Sequence, residues 1–297
     1  MDLRLGMVIL GASACSEQTF DGARPVTQEW RVTGAVDIVV FSDTSDSMTD
    51  QLVTLAANLP IFISRLEQVD ADWHLIAVTG PDGCAQGGVL DRDTPDWQGL
   101  FAAGIQQKPT EDLVDEWGLY NAQQALAASV EGGCNDGFLR DEAYLHIVFI
   151  SDEDDNSPGF DGDDPAYWLD YVDAFQASKS DSTLVRLSSV AGPPPIGCSS
   201  ADYGRGYVEV AEATGGEFLS ICSDWQLGLG ALANNSIVST TFRLSEVPDD
   251  GSVRAFVDGA ERIAGWQYVR TTNSVVFEEP APYAGQSVQV TYEVSAY

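Results

Sequence analysis

The chain has 297 residues, of which 44% are apolar, enough to build a core and too many for wholesale disorder. Its 14 Lys and Arg face 46 Asp and Glu, a formal net charge of −32. That balance excludes nucleic acid as a default partner, because phosphate binding needs basic clusters that displace counterions. The length admits one large domain, or a medium domain with a small one beside it.

The first element is a targeting segment. Residues 5–14 (LGMVILGASA) are apolar or small and follow Arg4. The run is half the length of a spanning helix and ends in small residues, so it reads as a signal peptide. Ala12-Ser13-Ala14-Cys15 resembles a bacterial lipobox. The resemblance implies residues 1–15 as a lipoprotein-type leader, Cys15 as the lipidated residue, and a membrane attachment through that N-terminal anchor. Ser16 gives no inner-membrane retention signal, so the expected location is the bacterial cell envelope at the outer membrane. Residues 16–33 read as a polar tether.

Short, β-branched apolar runs follow at 36–41 (VDIVVF), 75–78, 145–150 (LHIVFI) and 184–190. Continuous apolar strands suit a parallel sheet buried on both faces. Between them, residues 51–69 place Leu52, Leu55, Leu59, Phe62, Ile63 and Leu66 at helical spacing, with Pro60 as an expected kink. Helical patterns recur at 117–130, 167–177 and 208–213. This alternation predicts an α/β class, a doubly wound and mostly parallel sheet over residues 34–235. Beyond that, 240–244, 252–257, 266–270, 274–277 and 288–294 read as strands separated by turn signals such as Asp258-Gly259. They predict a small C-terminal all-β unit over 236–297.

Apart from Cys15, four cysteines remain. In an exported protein they suggest two disulfides, with three connectivities open. The favoured pairing is Cys84–Cys134 with Cys198–Cys222, which closes one loop with each bridge.

The run FSDTSDSM follows the first apolar strand. Asp43, Ser45 and Ser47 form Asp-x-Ser-x-Ser at a strand's carboxyl end, the edge at which open α/β sheets bind ligands. A carboxylate and two hydroxyls on one turn are the oxygen donors that hard divalent cations prefer. Ser151-Asp152 follows the 145–150 strand at the same edge. Taken alone, Asp43-x-Ser45-x-Ser47 is as well explained by a helix cap.

An apolar strand, Asp-x-Ser-x-Ser-Met, a helix and a later strand ending in Ser-Asp together resemble the von Willebrand factor type A domain. The resemblance covers roughly residues 34–235 and implies a Rossmann-like fold with a metal-ion-dependent adhesion site. It implies Mg²⁺, or Mn²⁺ or Ca²⁺, held directly by Ser45 and Ser47, with Asp43 and Asp152 acting often through water. An intervening threonine completes such a set, with Thr110 as the candidate and Thr94 as the fallback. The partner implied is a protein that presents an acidic residue to the metal. The segments NLPIFISRL, NDGFLRDEAYL, ISDEDDNS and GGEFLSICSDW further resemble a group of exported bacterial lipoproteins built on this domain.

The remaining chemistry is sparse. Asp152, Asp154 and Asn156, followed by Asp161, Asp163 and Asp164, lie at calcium-loop spacings. Ser157 occupies the glycine position of such a loop and a strand precedes it, so a solvated acidic loop is the better reading. No phosphate-loop, nucleophile-elbow or His-Glu-x-x-His motif occurs. His146 and His74 fall within strands and read as packed residues. The expectation is a non-enzymatic adhesion or assembly protein with no small-molecule substrate. The alternatives are a structural envelope component whose metal only stabilises the fold, and a metal-assisted hydrolase.

Overall fold

The computed structural model describes residues 23–108, 117–159, 166–237, 241–278, 280–283 and 285–295. The described residues begin with β1 (Arg24–Arg31) and β2 (Ala35–Ser42), then α1 (Thr49–Gln68), β3 (Asp72–Val78), β4 (Leu90–Asp91), α2 (Trp97–Gly104) and α3 (Gly118–Ala127). It continues through β5 (Tyr144–Ile150), α4 (Trp168–Ala177), β6 (Val185–Ala191), α5 (Tyr207–Thr214), β7 (Phe218–Ser220) and α6 (Leu229–Ile237). The last elements are β8 (Thr241–Arg243), β9 (Arg254–Val257), β10 (Ala260–Arg262), β11 (Trp266–Val269), β12 (Ser274–Phe277) and β13 (Ser287–Val294).

A six-stranded sheet runs in the order β4-β3-β2-β5-β6-β7. Its β3, β2, β5, β6 and β7 pair in parallel, and β4 joins the edge antiparallel. The central strands are mostly apolar because both faces are covered, with Asp37, His146 and Arg186 as buried exceptions. On β2, Val36, Ile38 and Val40 join one core cluster while Val39 and Phe41 join the other. The first cluster takes the Leu52, Leu55, Leu59, Phe62, Ile63 and Leu66 face of α1, with Leu229 and Leu232 of α6. The second takes Leu119, Ala122 and Leu126 of α3, Phe175 of α4 and Tyr207 and Val210 of α5. Helix α1 passes through Pro60, which lies inside it.

Two further sheets are antiparallel: β1-β13-β9-β10 and β11-β12-β8. They share the first core cluster, to which they add Phe242, Val257, Phe277, Val290 and Tyr292. The Trp30 and Phe242 rings lie 5.5 Å apart, and those of Phe242 and Phe277 5.6 Å apart. One continuous apolar cluster therefore joins all three sheets.

These sheets correct the expected class of a doubly wound, mostly parallel sheet with a small C-terminal all-β unit. Antiparallel sheets of four and three strands stand against one sheet of six, and that sheet is itself mixed. The β portion is not confined to 236–297. Residues 24–31, expected as tether, form β1 and pair along their whole length with β13, from Arg24 opposite Val294 to Arg31 opposite Ser287. The physical reason is a period-two pattern in which Val26, Gln28 and Trp30 turn inward while their neighbours stay exposed. The boundary placed at 235 falls inside α6. Cys15 and the leader lie outside the described residues.

Both disulfides form, Cys84–Cys134 and Cys198–Cys222. The second ties the loop after β6 to the loop after β7, at the carboxyl end of the parallel strands.

Candidate functional site

The carboxyl ends of β2 and β5 lie side by side, with Ser42 opposite Ile150. The chain leaves β2 at Asp43, whose backbone N–H donates to the Ile150 carbonyl at 3.0 Å. The Asp43 carboxylate is fully buried. Its Oδ1 accepts the Ser45 backbone N–H at 2.7 Å and its Oδ2 accepts the Ser151 hydroxyl at 2.9 Å. The Ser45 and Ser47 hydroxyls are 2.9 Å apart, and Ser47 donates to Asp152 Oδ1 at 3.3 Å. Asp43, Ser45, Ser47 and Asp152 are thus brought together by one loop and one neighbouring strand end. The helix cap that these residues could have formed is absent, since neither Ser45 nor Met48 makes a side-chain cap bond.

The electrostatics are unbalanced. No described residue forms an ion pair with Asp43 or Asp152, although the exposed Lys108 pairs with Asp46 at 2.6 Å beside them. Burial pushes the Asp43 carboxyl up to about 6, only partly opposed by the Ser45 N–H and the Ser151 hydroxyl. Burial raises Asp152 as well, against its bond from Ser47. The hydroxyl of Thr44, buried beside Asp43, has no hydrogen-bond partner among the described residues. Two partly desolvated carboxylates with flanking hydroxyls and no cation of their own suit a hard divalent ion. Among the described residues no group of three or more His, Cys, Asp or Glu gathers, so such an ion would rely on the serine hydroxyls.

Thr110 lies outside the described residues. Thr94 is elsewhere: its hydroxyl donates to Asp91 Oδ1 at 2.7 Å in a turn after β4, which pairs with the first half of β3. Asp161, Asp163 and Asp164 lie outside the described residues, and among the described residues the acids that follow Asp152 point to separate partners. Asp154 pairs with Arg205 at 3.0 Å, while Asp155 is buried. Asp155 accepts the Leu119 N–H at 3.0 Å, the Ser157 hydroxyl at 2.8 Å and the Tyr167 hydroxyl at 3.0 Å, and Ser157 accepts the Tyr120 N–H. Asp155 and Ser157 of this stretch are thus buried rather than solvated, and hold the start of α3 against the sheet edge. Gly118 fits there because a Cβ would sit 2.5 Å from the Tyr207 hydroxyl. Sequence reasoning missed Asp155 and the contact from Ser151 to Asp43. The adjacency of Ser151 and Asp152 was the available signal for the latter, whereas nothing in a run of acids marks which one is buried.

The two histidines are packed groups. His146 is buried between the Ser188 and Ser236 hydroxyls, and burial drives it down to about 3, so it is neutral. His74 Nδ1 lies 3.0 Å from the Phe138 carbonyl oxygen.

No protein-family model matches the chain, and no curated protein matches it. Among solved structures, proximal thread matrix protein 1 from the mussel byssus is similar at 14% identity, with 73% of this chain and 50% of that one covered and a TM-score of 0.40. The pilus adhesin SpaC from Lactobacillus rhamnosus GG matches at 11% identity over 92% of this chain and 41% of that one, with a TM-score of 0.37. The adhesive tip pilin GBS104 from Group B Streptococcus agalactiae matches at 11% identity, 91% and 81% coverage, and a TM-score of 0.35. The chain spans half or less of the mussel and SpaC chains. These findings correct the expected membership of the von Willebrand factor type A family: no family model matches the chain.

Proposed function

We propose that the protein is a cell-envelope adhesion or assembly component that binds a divalent cation at the carboxyl ends of β2 and β5. The observation that carries this reading is the Asp43–Ser45–Ser47–Asp152 cluster, two carboxylates drawn together with hydroxyls and without a described cation. Mg²⁺, Mn²⁺ or Ca²⁺ would be held directly by Ser45 and Ser47, with Asp43 and Asp152 acting often through water and Thr110 as a further donor. Mostly neutral direct ligands would leave the ion with net positive charge. An acidic side chain of a partner protein is then the natural group to complete its shell. Attachment through Cys15 to the outer membrane, and the absence of an enzymatic reaction, belong to the same proposal.

Calorimetry with each of the three cations tests it, with Asp43→Ala and Ser45→Ala alongside. Binding in the parent that disappears in both variants supports the site. No binding in the parent removes the adhesion mechanism. Binding that raises the melting temperature but yields no metal-dependent partner in envelope extracts favours a purely structural metal.

A further inference from the structure

The groove between the end of the α/β layer and the β11-β12-β8 sheet has a volume of about 550 Å³. Its walls carry Arg186, Arg243, Gln176, Ser182 and Thr271, and no Asp or Glu among the described residues that line it. In a chain of formal net charge −32, a wall with two guanidinium groups and no acid is a local reversal of the surface.

Arg186 makes the reversal costly. It projects from β6, is 8% exposed, and forms no ion pair among the described residues. Its Nη1 donates to the carbonyls of Thr183 at 3.2 Å and Val185 at 3.0 Å, which solvate the charge without cancelling it. Asp181 is the carboxylate whose field reaches it, and Asp181 Oδ1 is already engaged by the Thr183 N–H and hydroxyl. Neighbouring His146 is neutral and offers no countercharge. A buried, unneutralised guanidinium is strongly unfavourable unless an anion reaches it. Arg243, exposed on β8, adds a second positive group on the same groove and likewise has no ion pair among the described residues. The side chains of Gln176, Ser182 and Thr271 have no hydrogen-bond partner among the described residues, so amide and hydroxyl donors are available beside the two charges.

We infer that this groove binds an oxoanion, a phosphate, sulfate or carboxylate group met by Arg186 and Arg243 and hydrogen-bonded by the amide and hydroxyls around them. Guanidinium groups match the planar, forked acceptor geometry of such anions. The site is separate from Asp43 and needs no divalent ion.

The test is a two-dimensional amide NMR titration of the full chain in the presence of a chelator. Sodium phosphate, sodium sulfate and sodium acetate are added separately, each against sodium chloride at matched ionic strength. The expected result is saturable shifts at groove residues with at least one of the three, the order of affinities naming the preferred anion. Arg243→Gln should weaken binding at least tenfold. Arg186→Met should abolish it, while melting at or above the parent temperature in the absence of anion because the buried charge is gone. Shifts that do not saturate, that sodium chloride reproduces, or that persist unchanged in Arg243→Gln would overturn the inference. Arg243 is exposed, so its variant decides the matter even where Arg186→Met does not fold.

Discussion

Strand β2 holds one fully buried aspartate near its amino end and is followed directly by another, and the fold treats them in opposite ways. At the amino end, Asp37 is surrounded by cations. It accepts the Arg140 backbone N–H at 2.7 Å and Nε at 2.8 Å, and pairs with the buried Lys179 at 3.2 Å. Arg140 reaches on to Asp72 at 2.7 Å, and Lys179 also donates to the Arg140 carbonyl. At the carboxyl end, Asp43 meets a backbone N–H and a hydroxyl, and its carboxyl rises to about 6. A charge that is cancelled internally serves the fold. A charge left uncancelled at a sheet edge is a place for something from outside.

Breaking the amino-end cluster should give the largest effect. Asp37→Ala leaves Lys179 buried without its partner, and removing one member of such a pair costs about 3–5 kcal/mol. Urea unfolding should show that loss as a lower midpoint with an unchanged slope. A loss below about 1 kcal/mol would show that Lys179 escapes to water. Next in size is the bridge that ties the loops after β6 and β7. Replacing Cys198 and Cys222 together by Ser should cost about 3 kcal/mol in the chain-entropy picture, with the Asp37 cluster and its dependence on salt unaltered.

The carboxyl end should behave in the opposite sense. Asp43→Asn removes a desolvated charge, so the metal-free protein should be at least as stable as the parent. The parent should gain about 2.7 kcal/mol in Mg²⁺ at a hundred times its dissociation constant, and Asp43→Asn should gain nothing. Thermal unfolding in Mg²⁺ and in chelator measures both, and a metal-free Asp43→Asn protein less stable than the parent would show that the carboxylate is structural after all. The smallest effect is the dependence on pH. The Asp43 and Asp155 carboxyls stand at about 6 in the fold, above the 3.8 of an ordinary carboxyl. The folded state therefore binds protons more readily, and these two groups should stabilise the metal-free protein as pH falls from 7 towards 4. Metal needs the unprotonated form, so the affinity for Mg²⁺ should fall as pH drops below about 6. Calorimetry at a series of pH values showing no such fall would remove Asp43 from the ligand set.

The parts of this molecule legible in the sequence are those in which a single physical requirement dominates. Strands β2, β5 and β6 are buried on both faces and show as largely apolar, β-branched runs, and α1 shows its six-residue inner face. Asp43, Ser45 and Ser47 are legible because all three belong to one turn. Strands β4, β7 and β10 were missed because two or three residues carry no period, and α2 because its eight residues hold little of a polar face. Strand β1 was hidden differently. Its alternation is set by a partner more than 250 positions away, and locally RPVTQEWR looks polar. The buried acids Asp37 and Asp155 were invisible among 46 acidic residues, because only the folded chain decides which carboxylate meets a cation or a helix start.

The pairing of β1 with β13 also sets an order of events during synthesis. Residues 24–31 leave the ribosome long before residues 287–294 exist, and they have no other strand partner among the described residues. The six-stranded sheet can close by residue 220, but the four-stranded sheet must wait for nearly the whole chain. Contacts of such sequence separation form slowly. Until then the early strand waits with Trp30 uncovered, and a chain cut short before residue 287 would leave the Trp30 segment permanently without its mate. Completion of the four-stranded sheet is therefore reported by a single late zipper, whose closure seals an early-made strand to a late one.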